Sequence, residues 1–176
     1  MRLKRKIRVA YEGDLDGIMR VVEAAKRIMR DSGNTRQWID GYPSRDVIML
    51  DINSSAGHVV TEDERIVAYF AFLPSPEPTY ASIDGQWLDD VTPYHVIHRL
   101  ASFPDVHGIF AAVIDYCSAI DPNLRVDTHS DNAIMRRLIL RHGFNYCGVI
   151  TLANGHPRLA FQRLHHLGSE QSPHDK

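Results

Sequence analysis

Residues 98–117, HRLASFPDVHGIFAAVIDYC, constrain the fold of this chain more than any other stretch. The β-prone residues before Pro104 give way to a turn with one glycine, Gly108, and then to apolar residues at helical spacing. A strand, a tight loop and a helix in direct succession are typical of mixed α/β proteins, and a loop that opens a helix can bind an anion. The segment is therefore either a ligand loop or a simple turn.

The rest of the chain supplies strands and helices around this centre, and the predicted order is β-α-α-β-β-β-α-β-α-β-β. Asp14 and Ser44 occupy helix-start positions, and Asn154-Gly155 between two β-rich runs favours a hairpin. The predicted elements are a strand at 7–11, a helix from Asp14 to near Gly33, a helix from Ser44 to about Ile52, a hairpin over 57–74 that turns at 62–64, a long loop over 74–93, a strand over 94–102, a helix after Gly108, a strand over 124–128, a helix from Ser130 or Asp131 to Gly143, and a hairpin over 146–164.

The strand over 94–102 is expected to alternate regularly between the two faces of the sheet. That alternation puts Val96, His98 and Leu100 on one face, and it puts Ile97, Arg99 and Ala101 on the other. The loop before this strand is long for a compact domain, and such loops are more often functional than idle.

The length of 176 residues suits one sizeable core, so we expect a single domain over 7–164 with mobile tails at 1–6 and 168–176. Lys and Arg total 20 against 22 for Asp and Glu, and this balance creates no field towards nucleic acid or an anionic membrane. No apolar run approaches the roughly 20 residues of a membrane helix, and no apolar signal segment follows the basic N-terminus. We therefore expect a cytoplasmic protein.

Two cysteines, Cys117 and Cys147, are too few for a disulfide scaffold or a four-ligand zinc site, and both lie in apolar company that predicts buried thiols. The run from Asp127 to Asp131, DTHSD, has alternating side chains that could ligate a metal. The end of a strand followed by a helix cap explains the run more simply, so no metal is expected.

Five segments together resemble the GCN5-related N-acetyltransferase (GNAT) family. They are IRVAYEGDLDGIMRVVEAA at 7–25, QW at 37–38, YPS at 42–44, HRLAS at 98–102 and DTHSDNAIMRRLILRHGFNYCGVI at 127–150. The last is the most specific, because it matches the family pattern of an Asn that opens a helix and a Gly-Phe pair eleven residues later. The resemblance covers 7–164 and implies the GNAT acyl-CoA N-acyltransferase fold, with a mixed α/β sheet.

The resemblance implies that the pyrophosphate of acetyl-CoA rests on backbone N–H groups where a loop opens a helix. The family pattern there is Gln or Arg, two residues, Gly, one residue, then Gly or Ala. Gly108 matches the first glycine, whereas Asp105 and Phe110 depart from the pattern. Asp105 brings negative charge unless it points away or pairs with a cation such as Arg99, and Phe110 must swing aside. The coenzyme-binding residues implied are Leu100, Ala101, Val106, His107, Gly108, Ile109, Phe110 and Ala111.

Two further positions match the family near the second helix-opening Asn. Asn132 corresponds to a residue that often bonds the pantetheine arm, and it is equally a helix N-terminal polar residue. Arg136 or Arg137 could meet the ribose phosphate, although arginines at such positions more often form a solvated helix face. The family often has a general-acid tyrosine seven residues after the Asn, where this chain has Ile139, and Tyr146 is the replacement candidate.

The activity implied is direct transfer of an acetyl group from acetyl-CoA, as cosubstrate, to a primary amine of a small molecule or peptide. His98 is the candidate base because its ordinary pKa is near neutrality, and the alternative is a half-buried structural histidine. Trp38, Tyr42 and Trp87 could wall an acceptor site or simply pack in the core.

A second hypothesis keeps the fold and removes turnover, which leaves a CoA-binding sensor or interaction module. Its motivation is the irregular loop and the missing tyrosine at Ile139. A nucleic-acid partner rests only on the basic N-terminus and is not expected, nor is a membrane. The acceptor and the existence of a homodimer, which family members often form, stay open.

Overall fold

The structure, a computed structural model, describes residues 4–164. The element order predicted from the sequence is confirmed, with one short strand and two 3-10 turns (Glu12–Asp14 and Pro78–Tyr80) added to it. The strands are β1 Arg5–Val9, β2 Gly57–Glu62, β3 Arg65–Pro74, β4 Asp84–Gly85, β5 His95–Ser102, β6 Asn123–Thr128, β7 Asn145–Thr151 and β8 Pro157–Leu164. The helices are α1 Leu15–Asp31, α2 Arg45–Asn53, α3 Ile109–Ile120 and α4 Ala133–Arg141.

One mixed sheet organises these elements, with strand order β1-β2-β3-β5-β6-β8-β7-β4. Both predicted hairpins form, because β2 pairs β3 and β7 pairs β8 in antiparallel fashion. The only parallel pair within the described part of the sheet joins β5 to β6, across the crossover that α3 makes. The predicted mixed α/β fold class is thus confirmed.

Helices cover both faces of this sheet. The apolar residues of α1 and α2 pack on one face in a core that includes Ile18, Val22, Ile48 and Tyr69. The residues of α3 and α4 pack on the other face. Cys117 lies inside that second core and Cys147 is buried near β4, so the prediction of two buried thiols is confirmed.

Several predicted boundaries need correction. Strand β1 covers 5–9 rather than 7–11, so residues 5 and 6 pair with β2 instead of lying in the predicted tail. Helix α4 begins after Asn132, because the Asn132 side chain accepts a bond from Met135 N and thereby caps the helix. Asp14 precedes α1 as predicted, but its carboxylate bonds Tyr11 N and Arg8 instead of capping that helix. The predicted tail at 168–176 lies outside the described residues.

Candidate active site

The two central strands of the sheet separate from each other along their length. Strands β5 and β6 pair only at His95 with Leu124 and at Val96 with Arg125. Beyond that point β5 continues along β3, and β6 continues along β8 to its last residue. A gap therefore opens between the carboxyl ends of two parallel strands, which is where mixed sheets usually bind ligands.

A β-bulge at Arg99 lies on the β5 side of this gap. Arg99 has a φ of 56°, in the left-handed region that side chains other than glycine rarely adopt, and the β3–β5 register shifts beside it. Its guanidinium donates to both carboxylate oxygens of Asp51, at 2.8 and 2.6 Å, and to the hydroxyl of Tyr42 at 2.9 Å. These bonds hold the strained residue in place.

The bulge overturns the regular alternation predicted for this strand. Ile97 and Leu100, predicted to lie on opposite faces, both pack against the core under α3 and α4. Val96 and Leu100, predicted to share a face, contact different cores. An extra residue in the strand resets the side-chain period, so alternation cannot be extrapolated past Arg99.

A cavity of about 530 Å³ occupies the gap. Its walls come from the α1–α2 connection, β5, β6, α4 and the β7–β8 turn. Six residues that the sequence singled out line it, namely Trp38, Tyr42, His98, Leu100, Phe110 and Asn132. The structure thus brings together candidates from four separate segments, the α1–α2 connection, β5, α3 and the start of α4.

His98 stands on the cavity wall between two carboxylates. Its Nε2 lies 3.2 Å from Oε2 of Glu77, and its Nδ1 lies 3.6 Å from Oδ2 of Asp127. The hydroxyl of Tyr80 donates to the same Asp127 oxygen at 2.7 Å. The hydrogen bond from His98 is the main cause that holds the pKa of Glu77 at about 2, and bonds from Thr79 add to it. Glu77 is therefore a carboxylate at neutral pH.

Gln37 joins the α1–α2 connection to the far wall of the cavity. Its Oε1 accepts hydrogen bonds from Asn132 Nδ2 at 2.9 Å and from Thr128 Oγ1 at 3.2 Å. Its backbone oxygen accepts a bond from the guanidinium of Arg158 at 2.9 Å. Sequence reasoning gave Gln37 no role, although the QW pair was part of the family resemblance and could have drawn attention to it.

The loop before α3 has the backbone geometry of an anion site. Gly108 adopts φ of 72°, and no side chain caps the helix. The first helical bond recorded in the described chain is donated by Ala112 N to Gly108 O, so the N–H groups of 109–111 have no backbone acceptor there. Arg5 donates to His107 O at 2.8 Å and also pairs with Glu62, which ties the loop to β1. Donors at a helix start favour a negatively charged ligand.

The two unusual loop residues point in different directions. Asp105 is exposed and does not pair with Arg99, whose carboxylate partner is Asp51. Phe110 is buried in the core, where its ring meets His142 edge-on with centroids 5.0 Å apart. The bulky side chain has therefore turned away from the backbone of the loop.

Nine of the predicted site residues lie outside the cavity lining, and Tyr146, Trp87 and Arg136 are three of them. Tyr146 is 54% exposed on β7, and its ring packs against Phe161. Trp87 is buried and donates its indole N–H to Tyr80 O at 3.2 Å, so it serves core packing. Arg136 is exposed and donates to Ser130 O, as a solvated helix face predicts. Asn132 caps α4, yet it also lines the cavity, so both interpretations of it stand.

The remaining predicted coenzyme residues divide by location. Ala101 packs into the core under α1 and α2, on the other side of the sheet from the loop. Val106 and Ile109 contact the core under α3. His107 and Gly108 are exposed at the loop, and Ala111 follows in the first turn of the helix.

Arg158 is a cavity residue that sequence reasoning missed entirely. It stands near the start of β8 with only 5% of its surface exposed, and it lines the cavity. Its Nη1 and Nη2 donate to the backbone oxygens of Pro157 and Gln37, each at 2.9 Å. Burial lowers the pKa of Arg158, which reflects the cost of holding its charge away from water.

Neither a metal cluster nor a membrane helix is found among residues 4–164. No three His, Cys, Asp or Glu side chains in that range come together as a metal-binding group. No helix in the same range has both the length and the apolar character needed to cross a membrane.

Comparison with known proteins yields matches among solved structures alone. No protein-family profile matches the sequence, and no curated protein matches it. A GNAT-family acetyltransferase from Streptococcus agalactiae 2603 is 32% identical, and the alignment covers 93% of this chain and 99% of that one with a TM-score of 0.80. A GNAT-family acetyltransferase from Listeria monocytogenes 4b F2365 is 17% identical over 93% of this chain and 96% of that one, with a TM-score of 0.70. The ribosomal-protein-S18-alanine N-acetyltransferase from Escherichia coli is 12% identical over 96% and 99%, with a TM-score of 0.60.

Proposed function

The chain belongs to the GNAT family of acetyltransferases, and on this premise we propose that it transfers an acetyl group directly from acetyl-CoA to a primary amine. The observation that carries the proposal is the gap between β5 and β6, which has His98 on its wall and Phe110, from the first turn of α3, in its lining. An acyl group and an amine held together in such a gap react without the entropy cost of a chance encounter.

The residues at the start of α3 fit the pyrophosphate of acetyl-CoA. The N–H groups of 109–111 supply donors, and Gly108 lets the chain turn tightly in front of them. Phe110 leaves this surface free because its ring is buried. Arg5, beside Gly108, holds the loop through its bond to His107 O, while its charge is paired with Glu62. When bound, the coenzyme supplies the activated acyl group.

We assign the role of base to His98. If Nε2–H donates to Glu77, the lone pair of Nδ1 is left to accept the proton of the incoming amine. Asp127, at 3.6 Å from Nδ1, then stabilises the imidazolium that forms. Backbone N–H groups near the bulge in β5 are the candidates for holding the developing oxyanion. Tyr146 has no part in this scheme because it lies outside the cavity lining.

Calorimetry with acetyl-CoA and thiol release with a panel of amines test the proposal. We expect acetyl-CoA to bind and CoA to be released above the blank with at least one amine. His98→Gln should lower kcat/KM by about 100-fold and leave the affinity for acetyl-CoA unchanged, because general-base catalysis contributes on this scale. An absence of heat and of thermal shift with millimolar acetyl-CoA would overturn the proposal, and an unchanged rate in His98→Gln would remove the base assignment.

One observation favours the alternative of a CoA-binding sensor. Ile139 stands where the family often has a tyrosine that acts as general acid. It is buried and lines the cavity, so this position has no proton donor. Binding of acetyl-CoA without CoA release across the whole amine panel would support the sensor and exclude the enzyme.

A further inference from the structure

The cavity contains a buried positive charge with no carboxylate partner. In the described part of the chain, no Asp or Glu oxygen lies within 4 Å of the Arg158 guanidinium. Its two hydrogen-bond acceptors are neutral backbone oxygens, which offset little of the charge. A buried charge without a counter-charge is costly, so a site that keeps one is suited to an anionic ligand group.

Two other shielded arginines show that this arrangement is not general in the molecule. Arg99 is held by Asp51, and Arg125 donates to Asp90. Asp127 is the carboxylate that acts on Arg158 through space, but it is engaged by Tyr80 and stands beside His98. Asp127 thus attracts Arg158 without bonding to it, and the guanidinium can still pair with the anion of a ligand.

Another part of the cavity wall is negatively charged. Glu77 and Asp127 flank His98, and the arrangement attracts the ammonium form of an amine before its proton is removed. A ligand that complements both parts of the cavity has an amine at one end and an anion at the other. Since the guanidinium is a planar donor whose geometry matches that of a carboxylate, a carboxylate is the simplest anion for this end of the ligand.

We propose that the acceptor is a small amino carboxylate whose carboxylate is bound by Arg158 while its amine faces Glu77, His98 and Asp127. This assignment rests on the proposed function, because it names the acceptor of the same site. The apolar walls formed by Met29, Trp38 and Leu152 then contact the carbon skeleton of the acceptor.

The test compares amino carboxylates with their carboxamides. The probes are the standard L-amino acids, γ-aminobutyrate and ε-aminocaproate, each paired with the carboxamide that lacks only the negative charge. Binding is measured by calorimetry with the full chain saturated with CoA, and turnover is measured by thiol release from acetyl-CoA. We expect at least one acid to bind about tenfold or more tightly than its amide, which is the scale of a charge-assisted hydrogen bond.

The variants Arg158→Gln and Arg158→Lys identify the residue responsible. Arg158→Gln should remove the preference for the acid and leave the affinity for acetyl-CoA unchanged, whereas Arg158→Lys should retain part of the preference. Arg20→Gln, a change at an exposed arginine of α1, is the matched control and should behave as the wild type.

Each contrary result has a distinct meaning. Equal binding of acids and amides by the wild type, or no binding of any acid, overturns the amino carboxylate assignment. Weaker acetyl-CoA binding in Arg158→Gln with the acid preference intact shows that Arg158 serves the coenzyme, and this also overturns it. Preferential binding of an acid without any turnover leaves the carboxylate site supported and counts against the proposed enzyme alone.

Discussion

Two buried arginines on neighbouring strands show how differently one side chain can be used. Arg125 on β6 has 1% of its surface exposed and lies between the rings of Trp87 and Tyr94, at 3.9 and 3.8 Å from their centroids. It donates to Asp89 O at 2.7 Å and to Asp90 at 3.0 Å. Arg158 on β8 is almost as buried, yet its recorded acceptors are two backbone oxygens and one side of it borders the cavity.

The difference between these two arginines shows which buried charges indicate a functional site. The partners of Arg125 belong to the loop between β4 and β5, so its charge holds that loop on the sheet. Gln162 fastens the same loop, since its Oε1 accepts from Leu88 N at 2.7 Å and its amide donates to Asp89 O. The part of the long loop after β4 is thus an ordered structural element, whereas Glu77 and Thr79 near the start of the loop line the cavity beside His98. Arg158 borders the same cavity and forms no ion pair within the described residues.

The largest expected effect separates the structural arginine from the cavity arginine. Arg125→Gln removes two cation–π contacts and the bond to Asp90, so we expect the free energy of unfolding to fall by about 3 kcal/mol. That loss corresponds to a Tm lower by roughly 6–12 °C in a domain of this size. The preference for acids over amides should be unchanged. Urea and thermal unfolding measure the loss, and a cost under about 1 kcal/mol would contradict the structural role.

Arg99 is an intermediate case, because it borders the cavity and still has a carboxylate partner. Asp51→Asn leaves its guanidinium short of a counter-charge and weakens the bond from Tyr69, so the free energy of unfolding should fall by about 2 kcal/mol. Asp16→Asn is the matched control, since its pair with Arg45 is exposed and should be worth less than about 0.5 kcal/mol. Equal losses in the two variants would mean that burial does not distinguish the pairs.

The smallest expected effect is a pH dependence on the acidic side of the cavity. The pKa of Glu77 is about 2 in the folded protein against 4.5 ordinarily, so its carboxylate stabilises the fold above pH 4.5 and loses this contribution as pH falls towards 2. Glu77→Gln should therefore be less stable than the wild type by about 1 kcal/mol at pH 6, and the difference should vanish near pH 2. Unfolding at several pH values measures it, with Glu64→Gln, at an exposed acid, as the control. A difference that persists unchanged at pH 2 would contradict the assignment.

Local signals in the sequence predicted most of the fold. Ser44 caps α2 through a bond from Val47 N, and Gly33 and Gly143 both have φ of 82° at the ends of helices, as their residue types indicated. Each of these features depends on neighbours a few residues away. For the same reason the Asn154-Gly155 hairpin and the order of elements could be read directly from the chain.

The candidate site was predictable only in part. His98 and Asn132 came from the strand-loop-helix pattern and the family resemblance, and both line the cavity. Trp87 was chosen as an aromatic residue of the long loop, and Tyr146 as a replacement for the tyrosine of the family pattern. Their locations depend on how β4 and β7 pack. Arg158 carried no signal, because a single arginine in a hairpin strand looks the same whether or not it has a partner.

The sequence alone predicted the helices, the turns, the family and the position of the loop before α3. Short-range backbone preferences and hydrophobic periodicity determine these features, and both depend on residues close together in the chain. The tertiary contacts determined the bulge at Arg99, the position of His98 between Glu77 and Asp127, and the absence of an ion pair at Arg158 among residues 4–164. The side-chain hydrogen bonds at this site join residues 21 to 121 positions apart in the sequence. Only the packing of the sheet determines which of these residues meet.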